Sequence, residues 1–272
     1  MIKSAVTVSL VAEARQGPFV FHEGLEDAFQ RASALGFDAI EIFPPSPSAL
    51  IVDDVLALCG QYKLKVAAVG TGAGFLREKL TLTSSDEDVR QRAMTFIEDM
   101  MTFAAGLNAP AIIGSMQGRF DQDVSRNQAL AYLSTALSEL GEQADALDQM
   151  LLYEPLNRYE TNLFNRLVDT AAYLEAFDNP RLKILCDLFH ASIEEADIDA
   201  SIRQAAPHIG HVHFADSNRR AIGFGHTHIL PIIDVLKQVG YHGYLSAEVL
   251  PLPDSQTAAE QTIKAFQLAV SG

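Results

Sequence analysis

Cysteine, positive charge and long apolar runs are all scarce in this chain. Its two cysteines, Cys59 and Cys186, are far apart and in no zinc-like spacing. That excludes a disulfide framework and fits a reducing compartment, so a cytoplasmic protein is expected. Against 35 Asp and Glu stand only 20 Lys and Arg, a formal net charge of −15. Binding to nucleic acid or to an anionic membrane relies on Lys and Arg displacing counterions, so this balance argues against both. It leaves a small neutral or weakly charged molecule as the expected partner. No apolar run reaches the ~18 residues of a membrane span. The opening residues 1–12 carry one positive charge and an apolar stretch broken by Thr7 and Ser9. They read as a first β-strand rather than a signal peptide. Linkers, low-complexity tracts and close internal repeats are absent as well.

What is present is alternation. Apolar, β-branched runs at residues 4–10, 39–43, 65–69, 111–114, 150–154, 182–186, 210–214 and 244–249 predict strands buried on both faces. Amphipathic stretches lie between them, at 25–35, 50–62, 86–105, 127–147, 165–177, 198–206, 229–239 and 255–270. Gly36 closes the first, and Ser84-Ser85-Asp86 opens the third with a good N-cap cluster. Eight strand–helix pairs with no break in composition predict one α/β domain over residues 1–272, a (β/α)8 TIM barrel. A doubly wound sheet could carry the same alternation. Residues 70–85 form the longest irregular piece, either a lid over a site or a surface excursion.

Four polar residues sit where four apolar runs stop: Glu154, Asp187, His213 and Glu248. They fall at the carboxyl ends of the fifth to eighth strands, the rim where parallel barrels place function. Singly, each has an ordinary explanation as a solvated charge or a bonded core histidine. Together, three carboxylates and an imidazole on adjacent strands describe a site for one divalent metal ion. Oxygen-rich ligation suits Mn2+ first, with Mg2+, Co2+ and Zn2+ also compatible. Strand parity puts Glu248 on one face with Ser246 and Tyr244, and His213 with His211 one layer deeper. His211 is then either a hydrogen-bonded core residue or a partner of the ligand. Asp187 and His190 have opposite parity and share a face only if the strand ends near Leu188.

The segments around these residues are similar to known motifs. Tyr153-Glu154-Pro155-Leu156-Asn157-Arg158-Tyr159-Glu160-Thr161-Asn162 resembles the fifth-strand signature of the tagatose/psicose 3-epimerase group of xylose-isomerase-like barrels. Cys186-Asp187-Leu188-Phe189-His190 followed by Ile193-Glu194-Glu195 resembles the sixth. Gly210-His211-Val212-His213 with Ser217-Asn218-Arg219-Arg220 resembles the seventh, and Ala247-Glu248 the eighth. The resemblance implies Glu154, Asp187, His213 and Glu248 as metal ligands, and Glu154 and Glu248 as the acid/base pair. It implies Glu160, His190 and Arg219 as contacts to substrate oxygens, and a homodimer or homotetramer as the assembly. Arg219 could otherwise face solvent beside Arg220, and Glu160 could pair with Arg158. Glu41 could touch substrate or cap a loop. The chain departs from the family pattern at Leu188, at Ala191-Ser192 and at Ile222-Gly223-Phe224-Gly225, all on the substrate side.

Such a site implies proton transfer beside a carbonyl, through an enediolate, on a free ketose or related polyol ketone. The expected activity is therefore that of a metal-dependent sugar isomerase or epimerase. No Gly-rich loop with Lys and no basic cluster offers a phosphate cradle. An inosose-type dehydratase is the alternative, with His226, His228 or Glu160 as the extra acid. A multi-zinc apurinic-site endonuclease is disfavoured by the single histidine in the set and the acidic charge. A barrel that binds without turnover would have lost a ligand, and none is missing.

Overall fold

A computed structural model describes residues 1–271. Eight parallel strands form one closed barrel in sequence order: β1 (Lys3–Ser9), β2 (Ala39–Phe43), β3 (Lys65–Gly70), β4 (Ala111–Ile113), β5 (Leu151–Tyr153), β6 (Leu182–Asp187), β7 (Ile209–His213) and β8 (Tyr244–Ala247). Closure is direct: Lys3 of β1 registers with Tyr244 of β8, and Val6 with Ala247. The ring excludes the doubly wound sheet and confirms the TIM barrel. The chain's opening segment, read as a strand, is β1, buried from its second residue onward.

The helices form because each predicted stretch presents an apolar stripe to the barrel. Helix α1 (Leu25–Leu35) buries Ala28, Phe29 and Ala32. After α2 (Val52–Tyr62) and a short α3 (Ala73–Glu78) comes α4 (Glu87–Gly106), whose Ala93, Ile97, Met100 and Ala104 repeat at helical spacing. Its N-cap is Asp86, which accepts from the Asp88 N–H at 2.9 Å. Helix α5 (Arg126–Ala146) starts with a capping box between Ser125 and Gln128. The ring is completed by α6 (Leu167–Glu175), α7 (Leu188–Glu194), α8 (Ile198–Ala205), α9 (Ile229–Gln238) and α10 (Ser255–Ser271). Two of these were not expected. Helix α3 interrupts residues 70–85, so that piece is not irregular throughout, and α7 follows β6 without a loop. Among the described residues no helix is long and apolar enough to cross a membrane, and both cysteines are free.

Inside the barrel the two halves differ. One half is lined by Phe43, Ala68, Ile112, Leu152 and Leu185, with Phe19 packed against them. The other carries buried polar groups: Thr7, Glu41, His211, His213 and Ser246. A polar interior is tolerable only where its groups find partners, and the pairing of those groups defines the site described below.

Gly36 tests the helix-stop reading. It ends α1 with φ 83°, and a Cβ built there would meet nothing within 4 Å. Gly36→Ala should therefore cost backbone strain alone, about 1 kcal/mol. The expected result is a lower chemical denaturation midpoint with an unchanged m-value.

Candidate active site

The carboxyl-terminal mouth of the barrel holds a cavity of about 490 Å3. Phe19, Phe43, Phe75, Ile112, Leu156 and Phe189 make its apolar wall. Glu154, Glu160, His190, Arg219 and Glu248 supply its charged and titratable groups. A larger cavity, about 670 Å3, lies at the opposite mouth among Lys3, Lys65 and Lys183, but no carboxylate lines it.

All four expected metal ligands converge at the carboxyl-terminal mouth. Glu154, Asp187, His213 and Glu248 each offer an atom within 4.8 Å of the others. Glu154 and Glu248 stand one residue past their strand ends rather than inside them, because the chain leaves the ladder at the rim. His213 is the hub. Its Nδ1 lies 3.4 Å from Asp187 Oδ2, 3.5 Å from Glu248 Oε2 and 3.6 Å from Glu154 Oε1.

Local structure explains each position. Asp187 divides its two oxygens: Oδ1 accepts the Phe189 N–H at 2.8 Å and caps α7, while Oδ2 faces the site. Because β6 ends at Asp187 and α7 begins at Leu188, His190 swings round one helical turn onto the same side. The parity conflict read from sequence is resolved in this way. Glu154 is held from behind, since the Gln117 amide donates to its backbone carbonyl at 2.8 Å. Gly114 gives it room: a Cβ there would lie 2.7 Å from Glu154 Oε2.

The substrate-side candidates also reach the cavity. His190 is neutral, its imidazole pushed down to about 3 by burial, with Arg219 and His213 adding to the shift. The Asn157 backbone N–H reaches His190 Nδ1 and an Arg219 N–H reaches Nε2, each at 3.3 Å, so both ring nitrogens face a donor. Nε2 also lies 3.7 Å from Glu154 and from Asp187. Arg219 is not solvent-facing. Its guanidinium bonds Glu248, lies 3.4 Å from Asp187 and covers the Phe189 ring. Glu160 sits at the rim, accepting from the Asn157 amide at 2.8 Å. It does not pair with Arg158, whose guanidinium is taken by Glu194 at 2.9 Å. His226 and His228 are exposed and do not line the cavity.

Three supporting residues were not legible in the motifs. Glu41 neither lines the cavity nor caps a loop; it is fully buried between His211 and His213. Gln117 supports Glu154 from a turn with no sequence signature. Asp216 accepts backbone N–H bonds from Ser217, Gly223, Gly225 and Thr227 and so shapes the loop that presents Arg219. Its position ahead of a loop with two glycines was the available signal.

The donor set fits a divalent ion. Four buried carboxylates, Glu41, Glu154, Asp187 and Glu248, meet one half-buried guanidinium, and Glu154 Oε1 has no hydrogen-bond partner. Excess negative charge in a low-dielectric interior requires protons or a cation. Burial pushes Glu248 up to about 8, and it raises Glu154 as well. Burial would also push Asp187 up, but Arg219, His190 and His213 hold it below the usual carboxylate range. For His213 burial favours the neutral ring, yet Glu41, Glu248, Asp187 and Glu154 carry it well above an ordinary histidine.

Protons and metal therefore compete for the same atoms. Metal uptake should release at least one proton per ion near neutral pH. Affinity should rise with pH up to about pH 8, where Glu248 loses its proton. Calorimetric titration of chelator-treated protein with Mn2+, in two buffers of different ionisation heat, measures both; uptake without proton release would contradict this electrostatic account.

The comparisons with known proteins agree with this geometry. An L-ribulose 3-epimerase of Mesorhizobium japonicum is 28% identical over 229 residues, covering 82% of this chain and 75% of the relative. A D-psicose 3-epimerase of Ruminiclostridium cellulolyticum is 27% identical, covering 80% and 76%. A 3-dehydro-D-guloside 4-epimerase of Escherichia coli is 26% identical, covering 86% and 90%. The crystal structure of a D-psicose 3-epimerase in the presence of D-fructose superposes over the whole of both chains, with a TM-score of 0.82 and 20% identity. The family model described as the xylose isomerase-like TIM barrel matches residues 29–268, from the first helix to the last. With that match and the closed eight-stranded ring, the chain belongs to the xylose isomerase-like TIM barrel family.

Proposed function

We propose that this protein is a divalent-metal-dependent ketose epimerase that inverts the carbon next to the carbonyl of an unphosphorylated sugar. The observation that carries the reading is the meeting of Glu154, Asp187, His213 and Glu248 within 4.8 Å of one another, with Glu154 and Glu248 lining the mouth cavity. The names of its relatives, which are epimerases of ketoses or of a keto-sugar derivative, support it. Mn2+ is the proposed ion, because three carboxylates and one imidazole suit a harder cation than the Cys- and His-rich sites of zinc. When bound, the ion supplies a positive charge that polarises the carbonyl and stabilises the enediolate oxygen.

The protein's own residues do the rest. Glu154 and Glu248 come from strands on different sides of the His213 hub and act as the acid/base pair. Inversion needs one carboxylate to accept a proton and the other to give one. Burial favours that division, since two carboxylates this close are stabilised by holding a proton between them. His190, held between Asn157 and Arg219, presents its imidazole to a substrate oxygen. Arg219 orients Glu248 and offers its remaining N–H groups to the substrate, and Glu160 accepts a hydroxyl at the rim. Arg219 is the one cation lining the cavity and it already serves Glu248 and Asp187. A phosphate dianion would find little compensation there, which supports a free sugar.

The inosose-type dehydratase alternative is not supported. The relatives described above are epimerases, and of the three groups named as its extra acid only Glu160 lines the cavity, while His226 and His228 are exposed away from it.

Incubation of Mn2+-loaded protein with ketohexoses and ketopentoses in D2O tests the reading. The expected result is deuterium at the inverted carbon and appearance of the epimer by NMR. Glu154→Gln and Glu248→Gln should each lower kcat by about a thousandfold, within the range of a lost acid/base group. Loss of water from the sugar, or exchange unaffected by both substitutions, would defeat it.

A further inference from the structure

Behind the candidate metal ligands lies a buried hydrogen-bonded chain that the proposed reaction does not use directly. Glu41 of β2 crosses the barrel interior to β7. Its Oε1 lies 3.0 Å from His213 Nε2, and its Oε2 lies 2.7 Å from His211 Nε2. All three side chains are at most 1% exposed. We propose that Glu41 is a positioning residue: it fixes the His213 ring so that Nδ1 faces the metal, and His211 fixes Glu41. The proposal rests on the reading of Glu154, Asp187, His213 and Glu248 as the ligand set.

The argument is one of donors and acceptors. An ionised carboxylate can only accept, so each imidazole must donate through Nε2. With its Nε2 proton committed to Glu41, His213 has only Nδ1 left as a ligand atom, and Nδ1 is the nitrogen that faces the three carboxylates. Free imidazole can place its proton on either nitrogen; the hydrogen bond made by one nitrogen decides what the other does. The same bond sets the ring's rotation, since it anchors the edge opposite the site.

His211 has a separate task. Glu41 has no other hydrogen-bond donor among the described residues. One histidine satisfies each oxygen, so removing His211 would leave a buried charged oxygen unpaired and free the carboxylate to turn. Glu41, His211 and His213 could be read instead as a second metal site, since their atoms also lie close together. Two N–H donors on one carboxylate already account for both distances, which are ordinary hydrogen-bond lengths.

Chelator-stripped protein titrated with Mn2+ by calorimetry separates these possibilities. Wild type is expected to bind one ion per chain. Glu41→Gln keeps the volume but presents an amide N–H to one of the two rings. It should weaken binding tenfold to a hundredfold with the same stoichiometry. Equal affinity in wild type and Glu41→Gln would overturn the proposal while leaving the ligand set standing. No binding by wild type would overturn the ligand set itself. Two ions per chain would make Glu41 a ligand and overturn its positioning role. A second measurement needs no variant: 1H–15N spectra of histidine-labelled, Zn2+-loaded wild type should show His213 protonated at Nε2 and bare at Nδ1. The reverse tautomer would overturn the proposal even if Glu41→Gln failed to fold.

Discussion

Four buried carboxylates around one imidazole set the terms for the rest of this molecule. Glu41, Glu154, Asp187 and Glu248 all lie within reach of His213. Like charges brought out of water this close repel strongly, and burial raises the cost further. One guanidinium, Arg219, enters the cluster and meets Glu248 and Asp187, but it cannot balance four acids. The remaining charge must be met by protons or by a cation. This constraint explains why the neighbouring residues are so fully tied down: a cluster under internal repulsion stays in place only if each member is held from outside.

The barrel supplies that restraint through its backbone. Strands place side chains on alternate faces, so inward residues recur every second position and meet those of adjacent strands in layers. His211 and His213 are two such layers on β7, and Ser246 and Glu248 continue the inward face of β8. At the rim the support changes from ladder bonds to specific partners. Asp187 gives one oxygen to the start of α7, Gln117 holds the carbonyl of Glu154, and Gly114 leaves space for its carboxylate. Each device restricts a side chain whose own charge would otherwise drive it toward water. The apolar half of the interior, around Ile112, Leu152 and Leu185, is continuous and keeps the effective dielectric low where those charges meet.

The architecture was legible because its signals are local. Continuous apolar runs marked all eight strands, and the helices between them matched to within two residues at nearly every boundary. The convergence of Glu154, Asp187, His213 and Glu248 was legible for a related reason: a lone acid or histidine after an apolar run stands out, and four in succession at strand ends have a geometric meaning in a barrel. What escaped was non-local. Glu41 sits inside a run, Ala39–Phe43, whose other members are apolar or aromatic, and its partners lie 170 and 172 residues away. Nothing near it in sequence names them. Helix α3 was missed because Ala73–Glu78 is too short for its periodicity to separate from the surrounding loop. Glu160 and Arg158 looked like a local pair by spacing, yet Glu194, from α7, competes successfully for the arginine.

The two sides of the site are therefore built from different material. The ligand cluster is carried by strand ends, where barrel hydrogen bonding leaves little freedom. The residues that line the cavity come largely from connecting segments: Phe19 after β1, Phe75 from α3, Glu160 after β5 and Arg219 after β7. Loops tolerate exchange of side chains far better than a charged cluster held at close range does. The departures from the family pattern, at Leu188, Ala191, Ser192 and residues 222–225, were expected on the substrate side, yet none of them lines the cavity, and Leu188 and Ile222 pack into the core instead. The loop after β7 keeps one fixed point: Asp216 collects four backbone N–H groups and thereby holds the turn in which Arg219 adopts φ 57°. Gly223 and Gly225 belong to the same device: Gly223 takes φ 98°, and a Cβ at Gly225 would collide with Asp216 Oδ1. The carboxylate cluster and the cavity wall therefore rest on separately anchored parts of the chain.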